Sequence, residues 1–246
     1  MQKRGLSQEG LKLIACIAML LDHIGAVIVM ACFENATGEN KVMFLELYEM
    51  LRMIGRLAFP IYCFLLVEGF CHTHNPKRYA LRLLGSVFLA EIPYDLAIYG
   101  KFTWQHQSVM ITLLLGFLML MAMEKNSKLW WKLLVVIPFA LLAGVANSDY
   151  GAKGIFVVAL FALTRGHKWD RILQIFGLWC IFAPFYIATP LSWLLTGFAI
   201  TIQELAALAI VPISLYDGRK ATKSKVVQSV FYLFYPAHLL VLYLLK

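Results

Sequence analysis

Charge is scarce in this chain. Only 15% of its 246 residues are Asp, Glu, Lys or Arg, where a soluble domain carries about a quarter, so an ordinary soluble enzyme is excluded. A Walker loop and a GxGxxG turn are both absent, which leaves a nucleotide no familiar cradle. No CxxC pair occurs among the five cysteines (Cys16, Cys32, Cys63, Cys71 and Cys180). They fall in or at the ends of apolar runs and read as small hydrophobes, not as a disulfide framework or a zinc site. Internal repeats, low-complexity tracts and the paired Gly/Pro-broken segments of an inverted-repeat transporter are also missing. Despite a net charge of +8, there is no soluble basic module of the kind that binds nucleic acid.

What fills the chain is apolar sequence: 61% of residues are hydrophobic, in long runs that recur to the last residue. Lipid-spanning runs of this kind form helices, not barrel strands. The expectation is an all-α, polytopic integral membrane bundle, with one transmembrane domain over residues 1–246. The first run is too long for a signal-peptide h-region and lacks a cleavage site. About nine spans are expected: 10–32, 51–71, 79–98, 108–123, 129–146, 150–164, 172–188, 191–215 and 228–245.

Basic residues orient these spans. With a cytoplasmic N-terminus, the cytoplasmic segments hold Lys3, Arg4 and Lys12, then Lys77, Arg78 and Arg82, then Lys125, Lys128 and Lys132. Arg165, Lys168 and Arg171 follow, then Arg219, Lys220, Lys223 and Lys225. That is sixteen of the 22 Lys and Arg residues. The opposite side holds only Lys41, Lys101, Lys153 and Lys246, and Arg52 and Arg56 lie within the second span. The alternation satisfies the positive-inside rule with the N-terminus in and the C-terminus out. The acidic 33–50 segment (Glu34, Glu39, Glu46, Glu49) is expected to be an outer loop with room for a short interfacial helix.

Several polar groups interrupt the runs. Asp22 and His23 sit side by side in the first, where a mid-bilayer charge costs roughly 3 kcal/mol or more and marks either function or a helix-tying hydrogen bond. The second span carries Arg56 and Glu68, with Pro60 between them as an expected kink. Arg56 either snorkels to the interface or pairs with a buried carboxylate. Glu91 and Asp95 share one helix face around Pro93, and Glu91 needs a partner, either Arg56 or His23. Thr201, Gln203 and Glu204 lie mid-run, and Tyr232, Tyr235 and His238 surround Pro236. At 1.5 Å per residue, His23, Glu91, Glu204 and His238 stand ~20, ~18, ~17 and ~15 Å from the cytoplasmic ends of their helices. Four titratable groups at one level predict a shared polar site. The cytoplasmic basic loops, with His72 and His74, are topogenic or hold the phosphates of a cytosolic cofactor.

The blocks LKLIACIAMLLDHIG, LRMIGRLAFPIYCFLLVEGFCHT, RYALRLLGSVFLAEIPYDL, SDYGAKG, VPISLYDGRK and YLFYPAHLL occur in this order between residues 10 and 245. Together they resemble the TraX family, membrane proteins named for the F-pilin N-acetyltransferase of conjugative plasmids. That family is distantly similar to acyltransferase type 3 and heparan-glucosaminide acetyltransferases. The resemblance implies transfer of an acetyl group from cytosolic acetyl-CoA, in a bacterial-type cytoplasmic (inner) membrane. It implies an amine acceptor, the N-terminus of a pilin-like or exported peptide, with a sugar hydroxyl or amine as the alternative. It places catalysis on His23, Asp22 and Glu91, and acceptor binding on Arg56, Glu68, Asp95, Gln107, Tyr235 and His238, to which the shared depth adds Glu204. The cytoplasmic basic loops are then the expected holders of acetyl-CoA, through Arg78, Arg82, Arg219 and Lys220 with Tyr216, and no metal is implied. Gln107-Ser108 stands where the family usually reads QN, a departure that bears on the acceptor.

A neutral imidazole suits the task, because an amine must lose a proton to attack a thioester. Adjacent helical residues point ~100° apart, so Asp22 need not touch His23, and Glu91 or Glu204 are alternative partners. Two rival functions remain at this stage: a proton-coupled transporter using the buried acids and histidines as a relay, and a non-catalytic assembly protein.

Overall fold

The computed structural model describes residues 5–183, 202–219 and 224–246, and among them every regular element is helical. The order is α1 (Gln8–Ile24), a π-helical turn (Gly25–Val29), α2 (Met30–Asn35), α3 (Glu39–Gly55), α4 (Ala58–Cys71) and α5 (Pro76–Tyr99). Next come α6 (Val109–Met123), α7 (Leu129–Val145), α8 (Gly151–Thr164) and α9 (Asp170–Phe182). A 3-10 helix (Ile202–Ala209), α10 (Ile210–Ser214) and α11 (Lys225–Leu245) complete it. Among the described residues three stretches are long and apolar enough to cross a membrane, Gln8–Asn35, Glu39–Cys71 and Val226–Leu245, and shorter apolar helices accompany them. Large apolar side chains cover the outside, among them Leu81, Phe88, Leu89 and Ile92 on α5. The chain is a helical membrane protein.

The second span bends as expected: α3 passes into α4 at Arg56-Leu57, both still in the right-handed helical region, within one apolar stretch, Glu39–Cys71. Pro60 explains the position, since its ring clashes with the carbonyl four residues earlier, that of Arg56. The helical ladder tightens there to Leu57 N–H donating to the Ile54 carbonyl at 3.2 Å. One expectation changes: the acidic 33–50 segment is mostly helical, not a loop with one short helix. It is the α2–α3 helical hairpin, turning only at Ala36–Gly38. Of the spans at 172–188 and 191–215, residues 184–201 lie outside the described residues, Thr201 included.

The main core lies among α4, α6 and α8, where Ile61, Phe117, Met119, Ile155 and Phe161 are fully buried. A smaller one joins α1, α5 and α11 through Leu239 and through Ala18, Ala90 and Ala97, the alanines being small residues that let helices approach closely in lipid. α1, α5 and α11 run in one direction and begin at the same end of the bundle, called basal here. There the chain before α1 is latched to the segment after α10. Leu6 N–H donates to the Leu215 carbonyl at 2.7 Å, Asp217 N–H to that of Leu6 at 3.1 Å, and Gln8 N–H to that of Arg219 at 2.8 Å.

Candidate functional site

Asp22 and His23 sit in the last turn of α1, immediately before the π-helical turn, a distortion that often accompanies functional sites. They face different partners. The Asp22 carboxylate receives Arg52 Nη1 on one oxygen and Arg56 Nη2 on the other, both at 2.6 Å. Arg56 is only 5% exposed, and its remaining donors go to the Arg52 carbonyl and to Gln203 Oε1, each at 3.2 Å. Gly55 makes this arrangement possible, because a Cβ there would overlap the Asp22 carboxylate. Arg56 therefore pairs with a buried acid and does not snorkel.

His23 Nδ1 lies 2.9 Å from His238 Nε2, and His238 Nδ1 lies 2.7 Å from the Phe234 carbonyl oxygen. The second contact sets the first. A carbonyl only accepts, so His238 Nδ1 carries a proton and, in the neutral ring, its Nε2 is a bare acceptor. His23 Nδ1 must then donate, which leaves His23 Nε2 as the unprotonated nitrogen. Tyr235 stands edge-on to both imidazoles, with ring centroids 6.1 and 5.7 Å away.

His23 opens on a cavity of about 200 Å³, whose wall also includes Asp22, Arg52, Arg56, Tyr62, Asp149 and Tyr150. Tyr150 stacks on Phe59 at 3.8 Å in the left-handed backbone region, at φ +63°, where a bulky residue is held only by its surroundings. The surroundings are well bonded. Thr112 Oγ1 donates to Asp149 O, Asp149 N–H to the Gln107 carbonyl at 2.9 Å, and Tyr150 N–H to Asp149 Oδ1 at 3.0 Å.

The other expected residues are dispersed. Glu91 does not reach His23: its two oxygens accept from Ser108 N–H at 3.0 Å and Ser108 Oγ at 2.8 Å, holding the start of α6. Asp95 is fully buried, with Oδ2 accepting from Thr103 N–H at 3.0 Å and Oδ1 without a hydrogen bond among the described residues. Gln107 turns its amide back to the Trp104 carbonyl at 3.0 Å. Glu68 stays at the basal end of α4, bonded to Arg165 Nε at 2.7 Å, about 14 Å along the helix from Phe59. Glu204 is buried in the 3-10 helix, beside the Gln203 that holds Arg56.

The basal residues also differ among themselves. Arg78 and Arg82 are exposed at the start of α5, Arg82 over the Tyr79 ring at 5.0 Å. Arg219 is already paired, its Nε 2.7 Å from Asp217 Oδ2, and its guanidinium holds the Asp217 carboxyl below the usual carboxylate range. Tyr216 packs edge-on against Phe64, 5.6 Å between centroids, and Lys220 lies outside the described residues. Sequence reasoning missed Arg52, Asp149, Tyr150 and Tyr62 as parts of the site. Arg52 had a signal, standing four residues before Arg56 and hence on the same helix face. Asp149 and Tyr150 lay within the SDYGAKG block without being singled out.

Residues 7–246 match the family described as TraX protein. The chain belongs to the TraX family. One relative, the probable fimbrial assembly protein FimC, serogroup H1, of Dichelobacter nodosus, is 31% identical over 250 residues, covering 94% of this chain and 92% of that protein. No solved structure matches. In this TraX-family chain the histidine pair, the double arginine clamp and Asp149-Tyr150 come from segments far apart in sequence and meet around the polar cavity.

Proposed function

We propose that this protein is a multi-pass acetyltransferase of a bacterial cytoplasmic (inner) membrane, with its N-terminus on the cytoplasmic side. It moves an acetyl group from acetyl-CoA to an amine, the N-terminus of a pilin-like or exported peptide. About nine spans, including the shorter apolar helices, make up the bundle. TraX membership and the fimbrial-assembly name of the similar Dichelobacter nodosus protein support this choice of acceptor class.

One observation carries the chemistry: the chain from the Phe234 carbonyl through His238 to His23, which leaves His23 Nε2 bare in a ring that lines the polar cavity. A base with that lone pair takes the proton from the amine as its nitrogen bonds to the thioester carbonyl carbon. The C–S bond then breaks, and the proton held on His23 passes to the departing thiolate. Arg52 and Arg56 on the same wall stabilise the oxyanion that forms between these steps. Asp22 is a positioning residue that fixes the two arginines, and His238 is one that fixes the tautomer of His23.

The test is acetyl transfer from labelled acetyl-CoA to an amine-bearing peptide by the reconstituted protein. Wild type should acetylate the amine, with CoA released in equal amount. Peptide flux into proteoliposomes without CoA release would instead favour the transporter.

A further inference from the structure

A second cavity, of about 130 Å³, lies basal to the polar one and shares Met19, Tyr62, Val109, Leu113 and Tyr235 with it. Its far end is marked by Gln8, Lys12 and Tyr79, near the starts of α1 and α5. The two cavities therefore adjoin, and their combined lining reaches from Gln8 to His23, about 22 Å at the helical rise per residue. Between its ends the wall is mostly aliphatic and aromatic, including Leu65, Leu66, Leu83 and Phe231, with a few hydroxyls from tyrosines. On the wall the two cavities share, Tyr62 Oη and Cys16 Sγ are hydrogen-bonded at 3.1 Å, which holds the phenol in place. The mouth is cationic: Lys12 lies 5.4 Å over the Phe231 ring, and Arg82 covers Tyr79.

We infer that this basal cavity is the entry path of the acyl donor, a thioester on a slender amide-bearing arm whose phosphates stay at the mouth beside Lys12 and Arg82. The inference rests on acyl transfer at His23. A largely apolar cavity with cations at its basal end fits an arm that is neutral along its length and anionic at its tail. A thioester that reaches the shared wall stands one helical turn from the imidazole, since Met19 on that wall is four residues before His23.

The full-length Met110→Cys variant tests this in detergent or proteoliposomes, with modification of residue 110 by a maleimide followed on its own peptide and exposed Cys32 as internal control. Acetyl-CoA at ten times its Kd should slow modification of residue 110 about tenfold and leave Cys32 unchanged. Leu66→Trp, which narrows the cavity, should raise KM for acetyl-CoA about tenfold with kcat nearly unchanged. If acetyl-CoA is consumed by wild type but does not protect residue 110, the path is wrong while acyl transfer stands. Protection by added phospholipid alone makes the cavity a lipid crevice and overturns the assignment. If wild type neither binds nor consumes acetyl-CoA, both fall together.

Discussion

Gly55→Ala places a methyl group where the Asp22 carboxylate now sits. The nearest atoms to the new Cβ would be Oδ1, Cβ and Cγ of Asp22, all tied to the α1 backbone or to the arginine clamp. None of them is the loose end of a flexible side chain, so either α1 and α3 separate or Asp22 leaves Arg52 and Arg56. Breaking a buried ion pair while leaving its partners in place costs about 3–5 kcal/mol. Helix propensity returns about 1 kcal/mol for replacing glycine by alanine, so the net loss is roughly 2–4 kcal/mol. At about 2–4 °C per kcal/mol for a chain of this size, melting followed by intrinsic fluorescence in detergent should fall by several degrees or more. Gly85→Ala on α5 is the control, because a Cβ there meets nothing within 4 Å; it should leave melting unchanged or raise it slightly. If Gly55→Ala melts like wild type, or shifts in the same direction as Gly85→Ala, the close approach of Asp22 to α3 is not part of the molecule.

Removing the partner of His23 with His238→Phe keeps the ring but deletes the acceptor, and one lost buried hydrogen bond is worth about 1–3 kcal/mol. That corresponds to a fall in kcat of about 5- to 150-fold with KM for acetyl-CoA unchanged; a KM effect alone would assign His238 to binding. Glu91→Gln should destabilise by about 1 kcal/mol through the weakened hold on Ser108 and leave kcat within about twofold. A large fall in kcat at unchanged melting would return Glu91 to the chemistry. Asp217, depressed by Arg219, contributes stability above its unfolded pKa that is lost as pH falls through the lower folded value. Hydrogen exchange at the Leu6 and Asp217 amides should therefore rise below pH of about 4, and Asp217→Asn should remove that pH dependence.

Apolar run length carried most of the architecture into view: α5, α6, α7, α8 and α11 lie within a few residues of the expected spans. The α2–α3 hairpin did not show, because Glu34, Glu39, Glu46 and Glu49 look like loop sequence when no partner helix is known. Equal depth along helices correctly brought His23 and His238 to one level, and they touch. Glu91 shares the level and points elsewhere, since depth says nothing about rotation around the helix axis. Adjacency is not contact, as the ~100° between neighbouring helical residues led one to expect: Asp22 precedes His23 in sequence but serves Arg52 and Arg56. Asp149 and Tyr150 enter the cavity through a left-handed turn pinned by Thr112 and Gln107, a tertiary arrangement with no periodicity to announce it.

The central claim is that His23 is the base that deprotonates an amine during acetyl transfer. The most direct measurement is the single-turnover rate of acetyl transfer to an amine-bearing peptide by reconstituted His23→Ala protein that melts like wild type and still binds acetyl-CoA. The account predicts a fall of about 10²- to 10⁴-fold with donor affinity retained. Transfer at the wild-type rate by that folded variant would contradict it.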